Sequence, residues 1–126
     1  MKYDPENLAS LSFNIKELLN KNSNRHITIV GDDLSSLLML NQPETVYRFL
    51  RQLLEEAKRH HSVMLATLDE GMHRPEVLAA MEQLFDGVIE FEPAEGEDGI
   101  PVIRVKKMRG VPKQVTLRWA GIESKT

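Results

Sequence analysis

The sequence predicts an α/β fold with a parallel core sheet and a C-terminal antiparallel hairpin. Three observations predict it. Short β-branched or aliphatic runs alternate with stretches whose apolar residues recur at helical spacing. Polar or Asp-Gly breaks separate the two kinds of segment. From Pro101 onward the chain instead alternates apolar and polar residues, over 101–108 and 114–119, the pattern of a hairpin. Strand, helix, strand, helix, strand reads as parallel βαβ units, and such units take right-handed crossovers.

The elements follow in order. Asp4-Pro5 can open a helix, since Asp caps and Pro tolerates the first helical position. Ser10 and Ser12 can cap a later start, and Leu8, Leu11, Ile15, Leu18 and Leu19 keep helical spacing, which places the helix at roughly 8–20. His26-Ile27-Thr28-Ile29-Val30 reads as a buried strand over 26–31 that ends in Gly31-Asp32-Asp33. A short helical turn is expected at 34–38. Asn41-Gln42-Pro43-Glu44 starts the strongest amphipathic helix, 43–60, with Val46, Phe49, Leu50, Leu53, Leu54 and Ala57 on one face. Its last turn carries Lys58, Arg59, His60 and His61, where positive charge suits the helix dipole. A second buried strand is expected at 62–68 and is broken by Asp69-Glu70-Gly71. Pro75 opens a helix carrying Val77, Leu78, Met81, Leu84 and Phe85. A third strand follows at 87–92, then a turn at Glu95-Gly96-Glu97-Asp98-Gly99, and a hairpin with strands near 100–108 and 113–119.

Composition bounds the function. The 126 residues fit one domain, expected to span 1–126, with 41% apolar residues to build a core. The net charge of −3 lacks the basic excess of nucleic-acid binders, so no nucleic-acid partner is expected. The absence of Cys excludes disulfides, thiolate zinc sites and a Cys nucleophile. No apolar run reaches the ~18 residues of a membrane span, and the polar, acid-containing first residues do not read as a signal peptide. A cytoplasmic location without a membrane partner is the expectation. The total charge hides an asymmetry. Seven acids and no base lie in residues 82–98, and six bases and no acid in residues 104–118. The two blocks either neutralise each other across a hairpin or form an anion or partner site.

Three segments resemble the Walker B half of KaiC-like, RecA-superfamily ATPases. His26-Ile27-Thr28-Ile29-Val30-Gly31-Asp32-Asp33-Leu34-Ser35-Ser36-Leu37-Leu38 is similar to that family's apolar strand ending in Asp and followed by a Ser-Leu-Ser-like turn. Leu84-Phe85-Asp86-Gly87-Val88-Ile89-Glu90 resembles its next Asp-Gly-Val-Ile strand, and Val105-Lys106-Lys107-Met108-Arg109-Gly110 its Lys-x-Arg-Gly strand. The order and spacing fit, so the resemblance covers nearly the whole chain. It is closest to divergent archaeal members described as inactivated signalling ATPases, which carry a helix similar to Pro43-Glu44-Thr45-Val46-Tyr47-Arg48-Phe49-Leu50. The resemblance implies a three-layer RecA-like half-domain with the P-loop strand missing. None of the glycines at 31, 71, 87, 96, 99, 110 and 121 is followed by the Lys-Ser or Lys-Thr of a P-loop. The family's catalytic acid is absent too, and no catalytic residue is assigned.

The resemblance also implies roles. Asp32 takes the Walker B position, whose carboxylate assists Mg²⁺ through water beside the phosphates. An acid at the carboxyl end of a buried parallel strand stands where open α/β sheets bind ligands, although it can also simply cap the following turn. Thr67, with Asp69 and Glu70, falls where the family senses the γ-phosphate, or is loop punctuation. Lys107 and Arg109 match residues that reach across a subunit interface toward a neighbour's nucleotide, in the manner of an arginine finger. They can equally be a basic strand edge that discourages aggregation. His60, His61 and His73 have no metal-ligand spacing, no Ser-His-acid triad is readable, and no metal is expected. Trp119 reads as core or edge packing. The expected function is a non-catalytic regulatory module of signal transduction, not an enzyme, that presents Lys107 and Arg109 to a partner. Its expected partners are a second copy, as a homodimer, or a complete KaiC-like ATPase. The alternative is the C-terminal fragment of a working ATPase whose P-loop half lies on another chain or was lost. A third reading is an α/β module binding a small anion at its strand ends. No cofactor is expected for the isolated chain, and ATP with Mg²⁺ only if a partner completes the site.

Overall fold

The structure is a computed structural model in which residues 7–92, 100–111 and 115–118 are described. The chain divides into two compact units, Met1–Leu84 and Phe85–Thr126.

The first unit is built on one helix. Helix α3, Pro43–Arg59, buries Val46, Phe49, Leu50, Leu53 and Ala57, the 3-4 spacing of a single helical face. Val46 and Leu50 are fully buried. Pro43 occupies its first turn, where the missing N–H costs nothing. Helix α1, Leu8–Lys21, packs on α3 through Leu8, Leu11 and Leu19. Its cap is Asn7, whose side chain accepts from the Ser10 N–H at 3.1 Å. Asn7 therefore does what the sequence assigned to Asp4, Ser10 or Ser12. Two short strands, β1 (Thr28–Gly31) and β2 (Val63–Ala66), pair in parallel, Thr28 opposite Val63 and Gly31 opposite Ala66. Between them in sequence come α2, Leu34–Leu40, and α3. A 3-10 turn at Glu70–Met72 leads to α4, Pro75–Leu84, which packs on α3.

The strands differ from expectation in one respect. Both were expected to be buried on both faces, and both are half exposed. Ile29 and Met64 are partly covered, whereas Val30, Val63 and Leu65 are 67%, 58% and 60% exposed. The physical reason is that a continuous apolar run forecasts two covered faces only if a layer lies on each. Among the described residues only one face of this pair is covered.

The second unit is a three-stranded antiparallel sheet, β3 (Gly87–Glu92), β4 (Val102–Met108) and β5 (Val115–Arg118), in that order. Strand 87–92 was expected in the parallel core. It pairs antiparallel with β4, and no ladder joins it to the parallel pair among the described residues. The sequence runs 87–92 and 102–108 both alternate, and a short connection between neighbouring strands favours antiparallel pairing. The turn residues 95–99 and Trp119 lie outside the described residues.

The two opposite charge blocks meet on this sheet. Arg104 lies 3.4 Å from Glu90 and 2.7 Å from Glu92, and Lys106 lies 3.4 Å from Glu90. The neutralisation reading of the blocks therefore holds for these four residues. Gly110, at φ +87°, turns the chain after β4 and lets the Val111 N–H donate to the Met108 carbonyl at 2.9 Å. A side chain is strained in that left-handed conformation.

Candidate functional site

Both parallel strands end in polar residues, and the ends are stitched together. The Thr67 N–H donates to the Gly31 carbonyl at 3.1 Å and extends the β1–β2 ladder by one residue. Its carbonyl in turn accepts from the Leu34 N–H at 2.7 Å. The Thr67 hydroxyl accepts from the Asp33 N–H at 2.8 Å and donates to Asp32 Oδ1 at 3.3 Å. Asp32 and Thr67, 35 residues apart in sequence, thus share a hydrogen bond at the carboxyl end of adjacent strands.

Asp33 makes the turn into α2. It sits at φ 72°, ψ 77°, a left-handed conformation that a short polar side chain tolerates by bonding locally. Its Oδ1 accepts from the Ser35 N–H at 3.1 Å and its Oδ2 from the Ser36 hydroxyl at 2.9 Å. Both carboxylate oxygens are therefore used in capping. Behind the turn, Ser35 is 1% exposed. Its Oγ accepts from the Asp69 N–H at 2.9 Å and lies 2.8 Å from His73 Nε2. Burial of that hydroxyl under two partners makes it a structural tie rather than an accessible nucleophile.

A shallow cavity of about 410 Å³ opens at these strand ends, lined by Asp32, Asp33, Thr67, Leu68, Asp69 and Met72. Three of its six lining residues are acids and none is Lys or Arg. An unaided phosphate would meet like charge here, which disfavours the reading of a small-anion module at the strand ends. Among the described residues no three His, Asp or Glu side chains converge to hold a metal ion.

Lys107 and Arg109 belong to the second unit. The ladder between β3 and β4 shifts register at Val88/Ile89: Ile89 faces Val105, and Val88 faces Lys107. Lys106 is the extra residue of a β-bulge. Strict alternation would place Lys107 on the same face as Ile103 and Val105. The bulge moves it to the face of Glu90, Arg104 and Lys106, because it now pairs with Val88. Arg109 is exposed in the following turn, where its N–H donates to the Asp86 carbonyl at 2.9 Å.

The sequence pointed to Asp32, Thr67, Lys107 and Arg109. It gave no role to Asp33, Ser35 or His73. The Asp-x-Ser spacing of a helix cap was a usable signal for Asp33. No local signal could find the Ser35–His73 pair, whose members are 38 residues apart. No triad was readable in the sequence, yet a Ser–His hydrogen-bond contact exists.

A family model described as a family of unknown function (DUF7504) matches residues 3–91. The matched stretch includes Asp32 and Thr67 and stops before Lys107 and Arg109. No curated protein matches the chain. No helix among the described residues is long and apolar enough to cross a membrane.

Proposed function

We propose, for a chain that belongs to the DUF7504 family of unknown function, a non-catalytic KaiC/RecA-like regulatory module of signal transduction that offers Lys107 and Arg109 to a partner. The observation that carries the reading is the Asp32–Thr67 hydrogen bond, 3.3 Å, at the carboxyl ends of neighbouring parallel strands. The resemblance assigns those two residues, from separate segments, to one nucleotide-facing site. Their meeting supports it.

In this reading the chain does not itself carry out phosphoryl transfer. Phosphoryl transfer depends on clamping the β- and γ-phosphates. Among the described residues the cavity beside Asp32 is lined by carboxylates and by no Lys or Arg, and the sequence contains no P-loop motif. ATP with Mg²⁺ enters this reading only when a partner supplies the clamp. The bulge that turns Lys107 to the charged face, and the exposure of Arg109, suit two cations presented outward.

Co-sedimentation with a complete KaiC-like ATPase, with and without ATP, tests the reading. The chain should bind, and Lys107→Ala with Arg109→Ala should weaken binding or its response to ATP. Unchanged binding in the double variant would overturn the role of these residues. Absence of binding to any such ATPase would overturn the partner class.

A further inference from the structure

We propose that Ser35 and His73 form a proton-operated latch on one wall of the strand-end cavity. Residues 69–73 carry that wall, since Asp69 and Met72 both line the cavity. The segment has little to hold it. Its 3-10 turn, Glu70–Met72, buries no residue, and Met72 is 52% exposed. Inside the segment the Gly71 N–H donates to Asp69 Oδ1 at 3.1 Å and the Met72 N–H to the Asp69 carbonyl at 3.2 Å. Among the described residues, two hydrogen bonds join residues 69–73 to another element, and both end on Ser35 Oγ. One comes from the Asp69 N–H at the start of the segment and the other involves the His73 ring at its end. A segment with few buried contacts opens locally at low cost, so these two bonds decide its position.

Proton counting makes one of the bonds sensitive to pH. A hydroxyl has one proton to give and two lone pairs to accept with. Ser35 Oγ accepts from the Asp69 N–H at 2.9 Å and lies 2.8 Å from His73 Nε2. Ser35 is 1% exposed, so bulk water does not reach it, and among the described residues no third partner does. Its proton therefore has one acceptor, the Nε2 lone pair. That lone pair exists only in the neutral ring whose proton sits on Nδ1. Protonation places a hydrogen on Nε2 as well. Either the Ser35 proton then loses its acceptor in a buried position, or the ring leaves. An unmet buried donor is costly. The closed segment thus favours neutral His73, and the charged ring favours the open segment. The bond is kept at pH above the imidazole range and lost below it.

The neighbouring charges do not take over the hold. Those of the adjoining segments are Asp32 and Asp33 before α2, Asp69 and Glu70 in the segment itself, and Arg74 and Glu76 after it. Among the described residues none of them forms an ion pair with His73. The Asp33 carboxylate is bound to the Ser35 N–H and the Ser36 hydroxyl, and Asp69 Oδ1 to the Gly71 N–H. An imidazolium therefore has no ion pair to keep it in the closed position. Its release frees the end of the segment and moves the wall that Asp69 and Met72 form beside Asp32 and Thr67.

Two measurements test the latch, and neither depends on Lys107, Arg109, a partner or what the cavity binds. Nitrogen-15 spectra of the wild-type ring at about pH 7.5, where imidazole is mostly neutral, should show His73 with its proton on Nδ1. Exchange of the Asp69 amide, corrected for its intrinsic pH dependence, should be ~10-fold less protected at about pH 5.5 than at about pH 7.5. The Thr67 amide, which donates to the Gly31 carbonyl, should keep its protection. His73→Gln, with no ring to titrate, should remove the pH dependence at Asp69. Ser35→Ala should leave Asp69 weakly protected at both pH values. A neutral His73 with its proton on Nε2, Asp69 protection that does not change with pH, or a change that survives His73→Gln would each overturn the proposal.

Discussion

Asp33 and Ser35 hold the strand ends in place by different physics. Asp33 combines a left-handed backbone with a cap. Asn satisfies both demands, while Ala satisfies neither. Asp33→Asn should therefore cost less than ~1 kcal/mol and Asp33→Ala ~1–3 kcal/mol, read from urea unfolding midpoints. Ser35 ties α2 to the 69–73 segment through one buried oxygen. Ser35→Ala leaves the Asp69 N–H without that acceptor and should destabilise by ~1–3 kcal/mol. The His73 ring resonances should shift with it, and a His73 spectrum unchanged in Ser35→Ala would contradict the tie. At this scale a side chain that acts on its neighbours leaves a usable signal, the Asp-x-Ser spacing of Asp33 and Ser35, although the sequence reading offered the cap to Asp32 and the structure gives it to Asp33. The sequence was silent where the partner comes from a distant segment, as for His73. Asp32 and Thr67 were found through resemblance, since neither residue alone announces a site.

Helix α3 carries the first unit. Except at Leu54, which is half-buried, its apolar stripe is buried where the sequence put it, because an amphipathic period survives any choice of neighbours. Leu50→Ala, at a fully buried position, should cost ~2–5 kcal/mol by cavity formation, while Leu65→Ala, 60% exposed, should stay within ~0.5 kcal/mol. Equal costs in paired denaturation curves would refute the assignment of the core to α3. The strands were less legible. An apolar run says that a strand prefers cover and does not say whether cover is present, so the exposure of Val30, Val63 and Leu65 was not readable. Likewise the bulge at Val88/Ile89 has no sequence signature strong enough to locate it, yet it decides which face Lys107 occupies.

At the scale of the whole molecule, the sequence conveyed an α/β chain with parallel strands early and antiparallel strands late. The parallel pair and the antiparallel sheet agree with that. Placing 87–92 in the parallel sheet failed, because strand direction depends on partners that no single segment encodes. The charge blocks were legible as a pair, and Glu90, Glu92, Arg104 and Lys106 show why: on adjacent antiparallel strands Glu90 stands opposite Arg104, and Glu92 and Lys106 reach that pair diagonally. The proposed role draws on the acidic strand-end cavity of the first unit and, separately, on Lys107 and Arg109 of the second, and it predicts a module that modifies a partner's chemistry without performing it.

Steady-state ATP turnover, measured for this chain alone and for a KaiC-like ATPase with and without it, tests that claim most directly. The chain alone should show no turnover above buffer. Added to the ATPase, it should change the rate, and Lys107→Ala with Arg109→Ala should remove the change. Turnover by the isolated chain near ~1 s⁻¹, the lower range of phosphoryl-transfer enzymes, lost in Asp32→Ala, would contradict the account.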